Sequence, residues 1–581
     1  MSALISALDN FTPSQTGENG STEYAWSNSL RERMLQVSFQ LTRTRDSTTI
    51  QTLKDRVDTI LKDIHLQYKT TNDREQYLDN MSIMFRLVGH TRDIIDGKGE
   101  YALAYMLLDV WNKYHPELAQ YALKMFVLPP DGATNKYHPY GSWKDIKYIY
   151  KNNSTSELAK YGSKLIIEQL RVDADSETPS LLAKWVPREK SQFGELFYAL
   201  ATDYFSNYID SAKTETSRQK AILKAKMDFR KLIAGLNKQL DTVQIKQCGL
   251  CWRDIDPSKQ TSITMHKQKN AFLNLKNKKQ KESKVTGWLG AEERRYDIAD
   301  RIICADKFTE FAKKADKGEV EVKGARIGLN DFTKEALELC RLNRQKSTEA
   351  SLLNAQWLDN SKQTGTLGKM IAMVDVSGSM SGDPLHAAIA LGIRVAEKSI
   401  IGKRVMTFAG NPTWVNLEGH TTFVDMVNTV VKSHWEMNTN FAKALKLILD
   451  AIVTNKLKPE DVEDMVLVIF SDMQMDSADS STSSLMDTII EEYAKTGVQL
   501  WGKPFTAPHI LFWNLRSTTG FPTLSTQKNA SMMSGFSPAL LNLFCDEGLG
   551  GLQQHTPWSM FIKGLQNERY DALDKYLRET L

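Results

Sequence analysis

From about Asn28 to Lys346, apolar residues recur three and four positions apart, as in "SLRERMLQVSFQLTRT", "YALAYMLLDVWNKY" and "FGELFYALATDYFSNYI". That spacing lays one apolar stripe along a helix and predicts a run of amphipathic helices. The turn-rich stretches "DGKGE", "LPPDGATNKYHPYGS" and "DIDPSKQ" punctuate it, which predicts serial helical hairpins stacked as imperfect, HEAT-like repeats, although no clean sequence repeat marks them. Near residue 366 the pattern changes. "GKMIAMVDVS", "GKRVMTFAG", "EDMVLVIFSDM" and "PHILFWNLRS" are continuous apolar runs of strand length, alternating with the helical stretches "PLHAAIALGIRVAEKSI" and "FAKALKLILDAIV". Alternation of this kind predicts an α/β doubly wound, mostly parallel sheet. The predicted organisation is an N-terminal extension over 1–27, an all-α repeat domain over 28–365 and the α/β domain over 366–581.

Composition changes this picture little. At 581 residues the chain is too long for one ordinary core. With 41% apolar and 25% charged residues it has a globular profile that excludes fibrous and disordered classes. No run approaches the roughly 20 apolar residues of a membrane span, and "MSALISALDNFTPSQ" lacks a basic stretch before an apolar core, so a soluble cytoplasmic protein is expected. Five cysteines without framework spacing fit reduced thiols.

Charge changes it more. Between Lys213 and Lys284 there are 18 Lys and Arg against 6 Asp and Glu, an excess of twelve in a chain whose net charge is +4, so the remainder is acidic. Clustered cations release counterions from phosphates. RNA is therefore a candidate partner, with Lys267, Lys269, Lys276, Lys278 and Lys279 as backbone contacts and Trp143 beside Lys144, or Trp185 beside Arg188, as stacking platforms.

The chemistry lies at predicted strand ends. In an open α/β sheet, ligands bind beyond the carboxyl ends of the strands. There the strand "MIAMVD" runs into "VSGSMSGDP", placing Asp375, Ser377 and Ser379 in a D-x-S-x-S pattern. Thr439 precedes a predicted helix and Asp472 ends another buried strand. Two carboxylates and three hydroxyls are hard donors suited to Mg²⁺ or Mn²⁺, with a position left for a partner's oxygen.

Other chemistries fit less well. Met380 occupies the centre of the G-x-S-x-G frame in "GSMSG", and neither His386 nor His420 has a placement tied to a serine, so a hydrolase is not indicated. "DGKGE" is not a phosphate loop, because Arg92 stands where its first glycine would be. Cys248 and Cys251 form one C-x-x-C without a second zinc-spaced pair. With no base or nucleophile assigned, the chain is read as a non-enzyme.

D-x-S-x-S, a distant Thr and a later strand-end Asp resemble the metal-ion-dependent adhesion site of the von Willebrand factor A domain. The resemblance implies that Ser377, Ser379 and Thr439 bind the ion, that Asp375 and Asp472 bind it directly or through water, and that an acidic residue of a protein partner completes the shell. Asp472 is followed by Met473, where many members carry glycine.

The stretches "GHTRDIIDGKGEYALAYMLL", "PYGSWKDIKYIY", "LLAKWVPREKS" and "DFRKLIAGLNKQLDTVQ" resemble a little-characterised plant and large-virus family that couples a TROVE-like helical domain, the module of the Ro autoantigen, to an A domain. That resemblance implies a ring of helical repeats binding small structured or single-stranded RNA; Arg92, Lys98, Trp143, Lys144, Arg188 and Lys190, which lie in these stretches, are taken as further candidate RNA contacts. Ro proteins carry Trp-Ser-His-Lys-Asp where this chain has Trp143-Lys144-Asp145, so only Lys144 is carried over. The expected function is a non-catalytic RNA-binding scaffold whose metal site recruits a protein. The alternative is a protein-interaction or structural component without RNA, carried in the particle if the chain is viral.

Overall fold

The computed structural model describes residues 12–17, 20, 22–130, 137–276, 294–408, 412–433, 441–474, 485–545, 552 and 554–581. They form two compact units, one comprising 1–103 with 321–579 and the other 104–320. The N-terminal region is helical and the C-terminal region carries a mixed α/β sheet, as the pattern predicts.

The division between units does not follow the predicted boundary at 365/366. The helices Leu30–Gln40, Ser47–Thr71 and Arg74–Arg92, and later Leu329–Arg341 and Thr348–Ser361, belong to the unit that holds the sheet. Leu329, Phe332, Leu353 and Trp357 share one core with Val374, Ile389 and Phe423, and Trp357 stacks on Phe423 with ring centroids 3.9 Å apart. A helical period shows that a face is buried but not what covers it.

Two short strands open the described chain: β1 (Ser14–Thr16) and β2 (Thr22–Tyr24) pair antiparallel. Tyr24 exchanges backbone hydrogen bonds with Phe521, so part of the segment read as an extension is tied to the sheet-bearing unit.

The main sheet contains β3 (Met370–Asp375), β4 (Arg404–Phe408), β5 (Thr413–Asn416), β6 (Val466–Ser471), β7 (His509–Asn514) and β8 (Ala530–Ser534) in the order β5-β4-β3-β6-β7-β8. All neighbours are parallel except the edge pair β4–β5. Strands β3, β6 and β7 are buried at every residue, which explains why they read as continuous apolar runs rather than alternating ones. The chain leaves β3 in one direction to β4 and later returns on its other side as β6. The crevice between the carboxyl ends of β3 and β6 is therefore the topological switch point.

The helix Asp383–Lys398 crosses beneath this point, buried continuously from Ala387 to Ala396. Gly392 permits the close approach: a Cβ there would meet Val374 Cγ2 well inside van der Waals contact, one residue from Asp375.

In the other unit, helices near one another in sequence pack through aromatic contacts. Phe197 of Gly194–Tyr204 meets Phe229 of Glu215–Gln239 at 5.4 Å, and Phe272 of Ser262–Phe272 stacks on Phe308 of Ala299–Asp316 at 4.5 Å. Among the described residues no helix is long and apolar enough to cross a membrane. All five cysteines are free, and Cys248 closes the helix Val243–Cys248.

Candidate metal centre

Asp375 ends β3 and Asp472 directly follows β6, and both side chains are fully buried. The parallel register sets Val374 against Phe470, so the next residue of β6, Ser471, comes opposite Asp375. Its hydroxyl donates to Asp375 Oδ2 at 2.5 Å, while Oδ1 accepts from the Ser377 amide at 2.9 Å. The Ser377 and Ser379 hydroxyls lie 3.0 Å apart. Thus Asp375, Ser377 and Ser379 converge as their spacing predicts, and Asp472 stands beside them. Thr439 lies outside the described residues.

Beyond β6 the chain doubles back sharply. Met473 has φ +65°, the left-handed region that favours glycine and costs a side-chain-bearing residue about 1–2 kcal/mol. This bend lets the Met473 amide reach Ser471 Oγ at 3.0 Å and the Gln474 amide reach Asp472 Oδ1 at 3.3 Å. A glycine would adopt this turn without strain; the chain keeps a methionine that is itself buried.

Burial raises the Asp375 pKa to about 6, with the Asp472 carboxylate adding to the rise and the bonds from Ser471 and Ser377 opposing it. Asp472 is also raised, again chiefly by burial. Ser379 and Arg516 lie close enough to oppose that shift, yet Asp472 Oδ2 accepts no hydrogen bond of ordinary geometry among the described residues. Two carboxylates removed from water, one with an oxygen that accepts no hydrogen bond, form a cation-seeking arrangement. The donors fit a hard divalent ion held by oxygen alone. Among the described residues no cluster of three or more His, Cys, Asp or Glu gathers at a metal-binding distance; Asp375, Asp472 and the two serine hydroxyls are the described members of the predicted ligand set.

Sequence reasoning missed three neighbours. Ser471 becomes visible only through strand register. Arg516 and Thr518 come from the loop after β7: Arg516 Nη1 donates to the Ser379 carbonyl at 2.7 Å and stands 3.9 Å from Asp472 Oδ2, and Thr518 Oγ1 donates to the Asp472 carbonyl at 3.0 Å. The signal was present in "FWNLRSTTG", another buried strand breaking into polar residues at the same sheet edge.

Several predicted RNA contacts require correction. Arg92, Lys98, Trp143 and Lys269 are buried, with exposures of 4% for Lys98 and 2% for Lys269. Lys98 Nζ donates to the carbonyls of Ser38 (2.6 Å) and Leu41 (3.1 Å), at the carboxyl end of the helix Leu30–Gln40, and to Ser534 Oγ at the end of β8 (2.6 Å). All three ammonium donors are used, at a helix end whose dipole favours a cation. The glycines of "DGKGE" serve this turn: Gly97 packs directly on the His90 carbonyl and Gly99 has φ +72°.

Burial lowers the Lys98 pKa to about 7, so between pH 7 and the unfolded value near 10.5 the unfolded chain binds more protons than the folded one. Stability is therefore expected to rise with pH across that window, by about 1.4 kcal/mol per unit from this group. Urea denaturation of wild type and Lys98→Met at a series of pH values checks it: the variant should lack this rise, and parallel profiles would contradict the assignment.

Arg188, Lys190 and Lys267 are exposed, and Lys144 and Lys276 are half-buried; Lys278 and Lys279 lie outside the described residues. Around the predicted platform Trp185 gathers a denser basic-aromatic cluster whose lysines went unpredicted. Lys147 stands over both Trp185 (5.4 Å) and Phe193 (5.3 Å), Lys184 over Trp185 (5.9 Å) and Lys151 over Phe193 (5.7 Å). Lys144, Lys147 and Lys151 follow the three-and-four spacing of one helix face, the pattern that would have revealed them.

Comparison with known proteins adds two similarities. Residues 369–571 match the model of a domain of unknown function, DUF7788, beginning one residue before β3. The chain is also 26% identical over 515 residues, 84% of its length and 80% of the relative's, to "Uncharacterized protein L728" of Acanthamoeba polyphaga mimivirus.

Proposed function

We propose that this protein is a non-catalytic scaffold that grips an acidic protein partner through a divalent ion held on Asp375, Ser377, Ser379 and Asp472. The observation that carries this reading is the pair of buried carboxylates at the switch point, one with an oxygen that accepts no hydrogen bond among the described residues. The resemblance of the D-x-S-x-S pattern to the adhesion site of von Willebrand factor A domains supports the same conclusion. When bound, Mg²⁺ or Mn²⁺ supplies a Lewis-acidic position for a carboxylate oxygen. The chain's residues anchor the ion, keep its inner side out of water and leave its outer side to the partner.

RNA is the proposed second ligand, carried by the helical unit. The lysines around Trp185 and Phe193, and the exposed Arg188 and Lys190, combine phosphate-pairing charge with stacking surface. The TROVE-like resemblance likewise points to RNA as the ligand of the helical region. The burial of Arg92, Lys98, Trp143 and Lys269 favours the competing reading, a protein-interaction component without RNA.

Filter binding of the full chain to small structured RNAs across a salt series separates the two. RNA binding predicts affinity that falls steeply with salt, and Lys147→Ala with Lys184→Ala should reduce the log–log slope by about 0.7–0.9 per lost phosphate contact. Absence of affinity at low salt, together with protein partners captured equally with and without nuclease, establishes the competing reading.

A further inference from the structure

The outer side of the candidate metal centre already holds a positive charge. Arg516 follows β7 by two residues, and its amide is fastened to Asn514 Oδ1 at 3.0 Å. Asn514 is buried, its own amide donating to the Phe39 carbonyl at 3.0 Å. The backbone of Arg516 is thus fixed, while its side chain is 53% exposed and reaches across the sheet edge. Nη1 donates to the Ser379 carbonyl, 3.9 Å from Asp472 Oδ2. Nε and Nη2 have no hydrogen-bond partner among the described residues.

Arg516 therefore lies against two of the groups that would surround the ion, Asp472 and the Ser379 loop. We infer that Arg516 is a built-in counter-cation that competes with the divalent ion for this site and tunes it to take the ion together with a carboxylate. The inference rests on the metal reading above.

The charges show the consequence. Asp375 and Asp472 against Arg516 leave one net negative charge, and a divalent ion turns this into one net positive charge. A single carboxylate from a partner then neutralises the site, with the planar fork of Arg516 placed to receive it. Without the arginine, the two carboxylates alone balance the ion, and a further anion gains less. The wild-type site is accordingly weak for a free ion and selective for an ion–carboxylate pair. A unit charge about 6 Å from a divalent ion under near-water screening alters affinity on the order of tenfold.

The test is a Mn²⁺ titration of the full chain followed by electron paramagnetic resonance, in chloride and in millimolar glutarate. It uses wild type, Arg516→Gln and Arg516→Lys, with Asp375→Ala as the reference for a site without ion binding. Arg516→Gln should bind Mn²⁺ about tenfold more tightly than wild type in chloride. Arg516→Lys, which keeps the charge, should stay near wild type. Glutarate should tighten Mn²⁺ binding to wild type more than to Arg516→Gln.

Equal or weaker Mn²⁺ binding by Arg516→Gln, in a wild type that binds the ion saturably, overturns the counter-cation role and leaves the metal centre standing. Absence of saturable binding in both wild type and Arg516→Gln overturns both. Because the arginine side chain is half in solvent, its replacement leaves the fold in place, which thermal melting verifies.

Discussion

Asp375→Ala is expected to abolish saturable Mn²⁺ or Mg²⁺ binding while leaving the ion-free protein as stable as wild type to within about 1 kcal/mol. Asp375 is fully buried between β3 and β6 and contributes one of the two carboxylates at the site. Without it, a divalent ion would face a single carboxylate, Asp472, with Arg516 still beside it. One of the two anionic contacts available to the ion is lost, and the remaining carboxylate is shared with a cation.

In the absence of the ion the balance differs. The native carboxylate is costly in its buried setting, as its elevated pKa shows, and alanine removes that cost together with the bonds from Ser471 and Ser377. Calorimetric ion titration and thermal melting in chelator together check the prediction. Retained binding refutes the metal assignment; a stability loss above about 3 kcal/mol shows that Asp375 is chiefly structural.

Asp93→Ala is expected to destabilise the sheet-bearing unit by about 3–5 kcal/mol. Asp93 is fully buried and receives two parallel bonds from Arg569, Nε to Oδ2 and Nη2 to Oδ1, each 2.7 Å. Tyr570 donates to Oδ2 at 3.2 Å and the Ile95 amide to Oδ1 at 3.0 Å. These bonds join the loop before Lys98 to the C-terminal segment. Removing the carboxylate takes both short bonds from a guanidinium whose side chain is only 13% exposed, leaving Asp96 at 3.9 Å, and takes one partner from the buried Tyr570 hydroxyl. Losing one partner of a buried ion pair costs more than never having formed it.

The double variant Asp93→Leu with Arg569→Met should therefore recover part of the loss. Chemical denaturation measures both variants; a single-variant loss below about 1 kcal/mol would show that the pair is not held as described.

The stretch "GHTRDIIDGKGE" shows how a local motif can point to the wrong chemistry. Its Arg92 and Lys98 are expected from the sequence to contact RNA. The structure uses Lys98 to close a helix end against β8 and Asp93 to hold the C-terminal segment. A charged residue has the same sequence signature whether its partner is a phosphate in solvent or a carbonyl brought from far along the chain. Lys147 was missed for the converse reason: it is distant in sequence from Lys184 and Trp185, the expected stacking platform, and joins them only when helices pack.

By itself, the amino-acid sequence determined the features that depend on near neighbours. Strand-length apolar runs, helical periodicity, the change near residue 366, and the D-x-S-x-S convergence of Asp375, Ser377 and Ser379 all arise from backbone geometry over a few residues. Tertiary structure alone decided which helices complete the sheet-bearing unit, that Ser471 stands opposite Asp375, that Arg516 reaches Asp472 and the Ser379 loop, and that Lys98 is buried. Each depends on a pairing between distant segments, and those pairings are selected by the burial and polar satisfaction of the whole unit, which no local spacing encodes.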